Sequence, residues 1–176
     1  GRTNAIKEEL GDKTGMGTSW ANIGLVHNTR GDYDKALDYY ARSLTIQEEL
    51  GDKRVMGIIL SNIGIAHANR GDSGKALEHL EKSLTIQKEI GLGANYLIWV
   101  TLYLYLTYKQ LAKDYDINEI HSLIKEASNI QFGLNLGLYQ LLEEESYLEN
   151  AYNQLQEKAS SMEKELAEKF LSYPIP

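Results

Sequence analysis

Residues 11–50 read GDKTGMGTSWANIGLVHNTRGDYDKALDYYARSLTIQEEL, and residues 51–90 read GDKRVMGIILSNIGIAHANRGDSGKALEHLEKSLTIQKEI. Laid one above the other, 21 of the 40 positions are identical. A fixed period in this range is the signature of stacked supersecondary units, each burying its apolar face against its neighbours. Each unit holds two helical patterns. In the first unit Met16, Trp20, Ile23 and Val26 recur at helical spacing. Gly31 then reads as the residue that ends a helix in the left-handed conformation, and Asp32 or Asp34 can cap the next helix. That second helix carries Ala36, Leu37, Tyr40, Leu44 and Ile46 and stops before Gly51, with Asp52 as the following cap. The same signals return at Gly71, Asp72 and Gly91. Two helices joined by a short turn form an antiparallel hairpin, so the predicted fold is an all-α array of antiparallel helix pairs. Gly24 and Gly64 sit where the two helices of a unit approach most closely, and Ala36 and Ala76 where the second helix crosses. A larger side chain there would cost roughly 1–3 kcal/mol in overpacking.

Working outward, residues 1–10 (GRTNAIKEEL) align with residues 41–50 (ARSLTIQEEL). They read as a remnant second helix of a preceding repeat, with an apolar face left uncovered. The predicted division is therefore 1–10, then full units at 11–50 and 51–90, a degenerate third unit at 91–130, and a fourth helix pair with a capping helix at 131–176. In the third unit Leu104 stands at the glycine position, and a second helix is expected from about Ile117. The fourth pair is expected at 132–142 and 147–162, with a break at 143–146. Along the last stretch Leu148, Tyr152, Leu155, Ala159, Met162, Leu166 and Phe170 are spaced close to a heptad seam. This reads as a cap over the last repeat or as a dimerising coiled coil.

The bulk numbers exclude several classes. The chain has 176 residues and no cysteine, so no disulfide and no thiolate chemistry, as suits a reducing cytoplasm. The net charge of −7 argues against nucleic acid as a partner. The longest apolar run, 96–108 (YLIWVTLYLYLTY), is well short of the roughly 20 residues of a membrane span. It reads as a helix buried on most faces, or as an aromatic interface.

Trp20, Ile23, Gly24, Tyr33, Ala36 and Tyr40, with Ser43 as the next small residue, carry a family resemblance. Leu60, Ile63, Gly64, Ala76, Leu80 and Ser83 repeat it. The pattern resembles the tetratricopeptide repeat, in its longer variant as in kinesin light chain and many bacterial signalling proteins. His27 and His67 stand where a tyrosine is common, and the helix-ending proline is absent. The resemblance implies a right-handed solenoid whose first helices line a concave groove. It implies a non-enzymatic scaffold or regulatory module, part of a longer signalling protein, that takes a protein or peptide partner. Asn22 and Asn62 recur one period apart, where the family often has an amide reading the backbone of a bound peptide. An amide offers both donor and acceptor, so it can read main chain irrespective of side chain. The groove residues implied beside them are Thr18, Leu25, Asn28 and Thr29, then Ile58, Ile65, Ala68 and Asn69, then Ile98, Thr101, Tyr105 and Lys109.

Other constellations read as repeat grammar. His27 and His67 fall on successive layers, about one helix diameter or ~10 Å apart, whereas one zinc needs both nitrogens within ~2.1 Å of itself. They are expected to pack. Residues 73–76 (SGKA) lack the glycine and the hydroxyl of a phosphate loop. No nucleophile–base pair, catalytic constellation, metal site or cofactor motif is visible. Two further readings stand beside peptide binding. One is self-association through the N-terminal remnant or the C-terminal seam. The other is a sensor for a small peptide or ligand.

Overall fold

A computed structural model describes residues 2–128 and 130–164, with side chains from residue 11 onward. Among these residues every regular element is a helix: α1 (Arg2–Thr29), α2 (Tyr33–Leu50), α3 (Lys53–Arg70), α4 (Ser73–Glu89), α5 (Ala94–Gln110), α6 (Ile117–Glu126), α7 (Phe132–Leu142) and α8 (Glu145–Ser160). Successive helices pack as hairpins, α1 on α2, α3 on α4, α5 on α6 and α7 on α8, and α2 and α4 also cover the helix that follows. The chain is an all-α helical repeat. Among the described residues the fourth pair departs from the stacking rule, because α7 packs against α5 and not against α6.

The turns fall every 20 residues. Gly31, Gly51, Gly71 and Gly91 all have positive φ, between 69° and 90°, which glycine alone adopts without a Cβ penalty. At each turn the next amide reaches back into the helix, as from Asp52 N to Gln47 O at 3.0 Å and from Leu92 N to Gln87 O at 3.0 Å. These bonds pair carbonyls that a helix end leaves open. Asp52 then caps α3 by accepting from Val55 N at 3.0 Å. Asp32 holds the N-cap position of α2 without a side-chain capping bond; its carboxylate faces His27 Nδ1 at 3.2 Å instead.

The helices of a unit touch through bare backbone. A Cβ on Gly24 would lie 2.7 Å from the Tyr40 ring, and one on Gly64 would lie 2.6 Å from Leu80 Cγ. Gly17 and Gly57 form a second pair of such contacts, against Gln47 and Gln87. Their recurrence one period apart is visible in the sequence. Ser43 and Ser83 donate to the carbonyls of Gly17 and Gly57, at 2.6 and 2.7 Å, which explains why the small residue there is a serine in both units.

The first helix differs from its expected form in two ways. It runs unbroken through Gly11 and Asp12, so residues 2–10 continue α1. A continuing helix keeps its backbone groups paired locally, whereas the turn at Gly51 is held by helices packed on both sides. Moreover, of the apolar residues at helical spacing, Met16, Ile23 and Val26 are 48%, 40% and 47% exposed. The buried residues of α1 are Gly17 and Gly24, which face α2. In the second unit the positions matching Ile23 and Val26 are Ile63 and Ala66, both buried in a cluster with Ala36 and Tyr40 of α2.

At the other end, α8 ends at Ser160, so the helix covers only part of the expected seam. Its buried residues are Ala151 and Ala159, while Leu148 and Tyr152 are exposed. The packed face shares Ala159 with the heptad stripe, but Ala151, outside the stripe, is buried where Leu148 and Tyr152 are not. Leu166, Phe170 and Pro174–Pro176 lie outside the described residues.

Candidate functional site

The helices α1, α3 and α5 lie side by side as the first members of successive hairpins. A depression of about 540 Å³ is sunk into their shared face. Leu25, Asn28 and Thr29 of α1 form one wall, and Ile58, Ser61, Asn62 and Ile65 of α3 form the middle. Asn95, Tyr96, Trp99 and Tyr103 of α5 form the far wall, with Gln87 of α4 and Gly133 of α7 completing it. Asn69 and Ala68 belong to a smaller hollow of about 170 Å³, which shares Tyr103 with the larger one. Thr18 and Asn22 are exposed and lie outside both linings.

The third unit contributes different residues from those expected. Ile98, Thr101 and Tyr105 are buried in the core, and Lys109 points elsewhere. The Lys109 ammonium donates to the carbonyls of Gln140 and Leu141, at 2.9 and 3.2 Å, and pairs with Glu143 at 2.7 Å. It thereby neutralises the negative end of α7. The cause is one extra residue. The buried residues of α5 are Ile98, Val100, Thr101, Leu102, Leu104, Tyr105 and Thr107. Each sits 41 places after a buried residue of α3: Gly57, Ile59, Leu60, Ser61, Ile63, Gly64 and Ala66. The turn shows the insertion, because Gly93 caps α5 one place later than Asp52 caps α3. One residue rotates a helix by about 100°. The position of Asn62 therefore passes to Tyr103 and that of Ile58 to Trp99, while Tyr105, not Leu104, takes the glycine position of Gly64. Tyr105 fills that crossing, and its hydroxyl donates to Glu119 of α6. Burial opposes charge on Glu119, but hydrogen bonds from Lys88 and Tyr105 outweigh it and hold the carboxyl below its ordinary range.

The far wall is held in place by its neighbours. Tyr96 accepts from the Arg54 guanidinium at 2.8 Å. Asn95 donates to Ser128 Oγ at 2.9 Å and accepts from Ser128 N at 3.0 Å, which ties the loop after α6 to α5. The rings of Trp99 and Tyr103 stack with centroids 6.5 Å apart. A Cβ on Gly133 would already touch Trp99 at 3.4 Å. Burial raises the Tyr103 hydroxyl above its ordinary value, so it stays neutral. Gln87 donates to Ser83 Oγ at 2.8 Å and to Gly57 O at 3.3 Å. Its own oxygen, and that of Asn28, are buried without a hydrogen-bond partner in the protein. Among the described residues the lining contains no Asp, Glu, Lys, Arg or His.

The histidines pack. His27 stacks on Tyr39 and His67 on His79, each with centroids 5.5 Å apart. Burial lowers both His67 and His79 from the ordinary 6.5. For His67 the neighbouring Arg70 adds to this while Asp72 opposes it; for His79, Lys82 and Lys75 add and Glu78 opposes. A folded-state value below the unfolded one means the folded protein holds fewer protons, so acid favours unfolding. The stability these rings contribute as neutral groups is present above pH ~6.5 and is lost as pH falls below it. Thermal melting followed at pH 7.5 and 5.5 will show a lower Tm in acid. A His67→Gln/His79→Gln protein will show a smaller drop; an equal drop would refute this assignment.

These features define a helical-repeat protein with an uncharged, aromatic-walled groove. The tetratricopeptide repeat family model matches residues 15–89, and the helix pairs over that stretch are consistent with such repeats. Such repeats generally mediate protein–protein interaction. No curated protein matches the chain. Among the described residues no helix is long and apolar enough to cross a membrane, and no group of three His, Asp or Glu is placed to hold a metal.

Proposed function

We propose that the chain is a non-catalytic scaffold or regulatory module that takes an extended peptide segment of a partner protein along α1, α3 and α5. The observation that carries this reading is the depression of about 540 Å³, which sets the Asn62 amide beside Trp99 and Tyr103. Pockets of this volume suit small ligands and side chains, and buried aromatics are the side chains that most often anchor partners. The test is a random peptide library displayed on phage and panned on the whole chain. Enriched peptides will bind Trp99→Ala at least ~30-fold more weakly, as expected when an aromatic anchor is lost. They will bind Asn62→Ala about 3–10-fold more weakly, as for one hydrogen bond. Unchanged affinity in both variants, with native circular dichroism, would remove the groove as the site.

A second reading, self-association, is favoured by one observation. Met16, Ile23 and Val26 form an exposed apolar face on α1, whereas the counterparts of Ile23 and Val26 in α3, Ile63 and Ala66, are buried against α2. Sedimentation velocity across a concentration series will then show a dimer that Ile23→Asp/Val26→Asp abolishes. A monomer at every concentration would end this reading.

A further inference from the structure

We infer that the groove selects an uncharged peptide segment, one that offers N–H donors and an apolar or aromatic side chain. This rests on the peptide-binding reading above and names the partner's chemistry. Three observations carry it. First, the lining has no carboxylate, ammonium or guanidinium. A charge brought into it would be desolvated without an opposite partner, which costs several kcal/mol. Arg54, outside the lining, is already donating to Tyr96, and it disfavours a second cation beside it. Second, the two lining atoms that are buried and unpartnered, Gln87 Oε1 and Asn28 Oδ1, are both acceptors. Gln87 is only 2% exposed. Its orientation is fixed, because its amide nitrogen already donates to Ser83 and Gly57. Turning the amide over would set its oxygen against the Gly57 carbonyl. The deficit in the groove is therefore of donors, which peptide main chain supplies. Third, Trp99 and Tyr103 present stacked rings and a neutral hydroxyl, a wall that takes apolar bodies and rewards a polar tip.

The library above also supplies the test, through the composition of the peptides that depend on Trp99. Their shared core will be free of Asp, Glu, Lys and Arg and will hold an aromatic or aliphatic residue. One such peptide is then resynthesised with single N-methyl groups at successive core positions. At one or two positions the loss of an N–H will weaken binding about tenfold to a hundredfold, as when buried acceptors are left unpaired. A core enriched in acidic or basic residues that still requires Trp99 overturns this inference and leaves the groove reading standing. N-methyl scans with no sensitive position overturn the donor argument in the same way. Enriched peptides that ignore Trp99 and Asn62 overturn both.

Discussion

Ile63→Ala will destabilise the protein by about 2–4 kcal/mol, whereas Ile23→Ala, the same substitution one repeat earlier, will change stability by no more than ~0.5 kcal/mol. The two isoleucines occupy matching places in the repeat, in the identical tripeptide Asn-Ile-Gly. Ile63 is 6% exposed and packs with Ala36, Tyr40 and Ala66, while Ile23 is 40% exposed. Truncating Ile63 leaves a cavity between α2 and α3, and the loss contains both a transfer and a cavity contribution. Truncating Ile23 exchanges one exposed apolar group for a smaller one. Urea unfolding at low protein concentration reads both effects as midpoint shifts at constant slope. Equal losses would mean that the α1 face is covered. A loss in Ile23→Ala that grows with protein concentration would point to the self-associated form.

A single methyl group will act with opposite sign at two glycines. At Gly64 the new Cβ would lie 2.6 and 2.9 Å from Leu80 Cγ and Cδ2, and 3.2 Å from the Ala76 carbonyl. Leu80 is fully buried, so moving it aside displaces packed neighbours. Overpacking of this kind costs about 1–3 kcal/mol. Helix propensity returns up to ~1 kcal/mol, so Gly64→Ala will be destabilising on balance, by about 1–2 kcal/mol. At Gly15, within α1, a Cβ meets nothing within 4 Å. Gly15→Ala will therefore stabilise by about 0.5–1 kcal/mol, because only the backbone entropy of the unfolded chain changes. Thermal melts of the two variants will move in opposite directions. A rise in Tm for Gly64→Ala would show that α3 and α4 can separate at little cost.

The lining of the depression was largely within reach of the sequence in the first two units and little of it in the third. Leu25, Asn28, Thr29, Ile58, Asn62 and Ile65 do line one depression, because identity between the units keeps helix phase intact from one to the next. Trp99 and Tyr103 were visible as aromatics of a buried helix, yet their place on the groove was not. Gln87 was hidden for another reason. It belongs to a second helix, and it reaches the groove only because Gly57 leaves room for its side chain. Nothing in the spacing of residues along one helix reports which neighbour's side chain fills a gap in it.

The sequence by itself determined the repeat, the helix pairs, the glycine turns every 20 residues and the close crossings at Gly24 and Gly64. Each follows from local chemistry repeated in register: a left-handed residue, a capping acid, a missing side chain. Tertiary structure alone decided two things. It decided the phase of α5, where one added turn residue swings Ile98, Thr101 and Tyr105 into the core and Trp99 and Tyr103 onto the groove. It also decided which apolar face of α1 is left open. An amphipathic pattern fixes that a helix has faces, but the partner that covers each face is set by where neighbouring helices lie, and a single residue in a turn moves that by more than a quarter of a revolution.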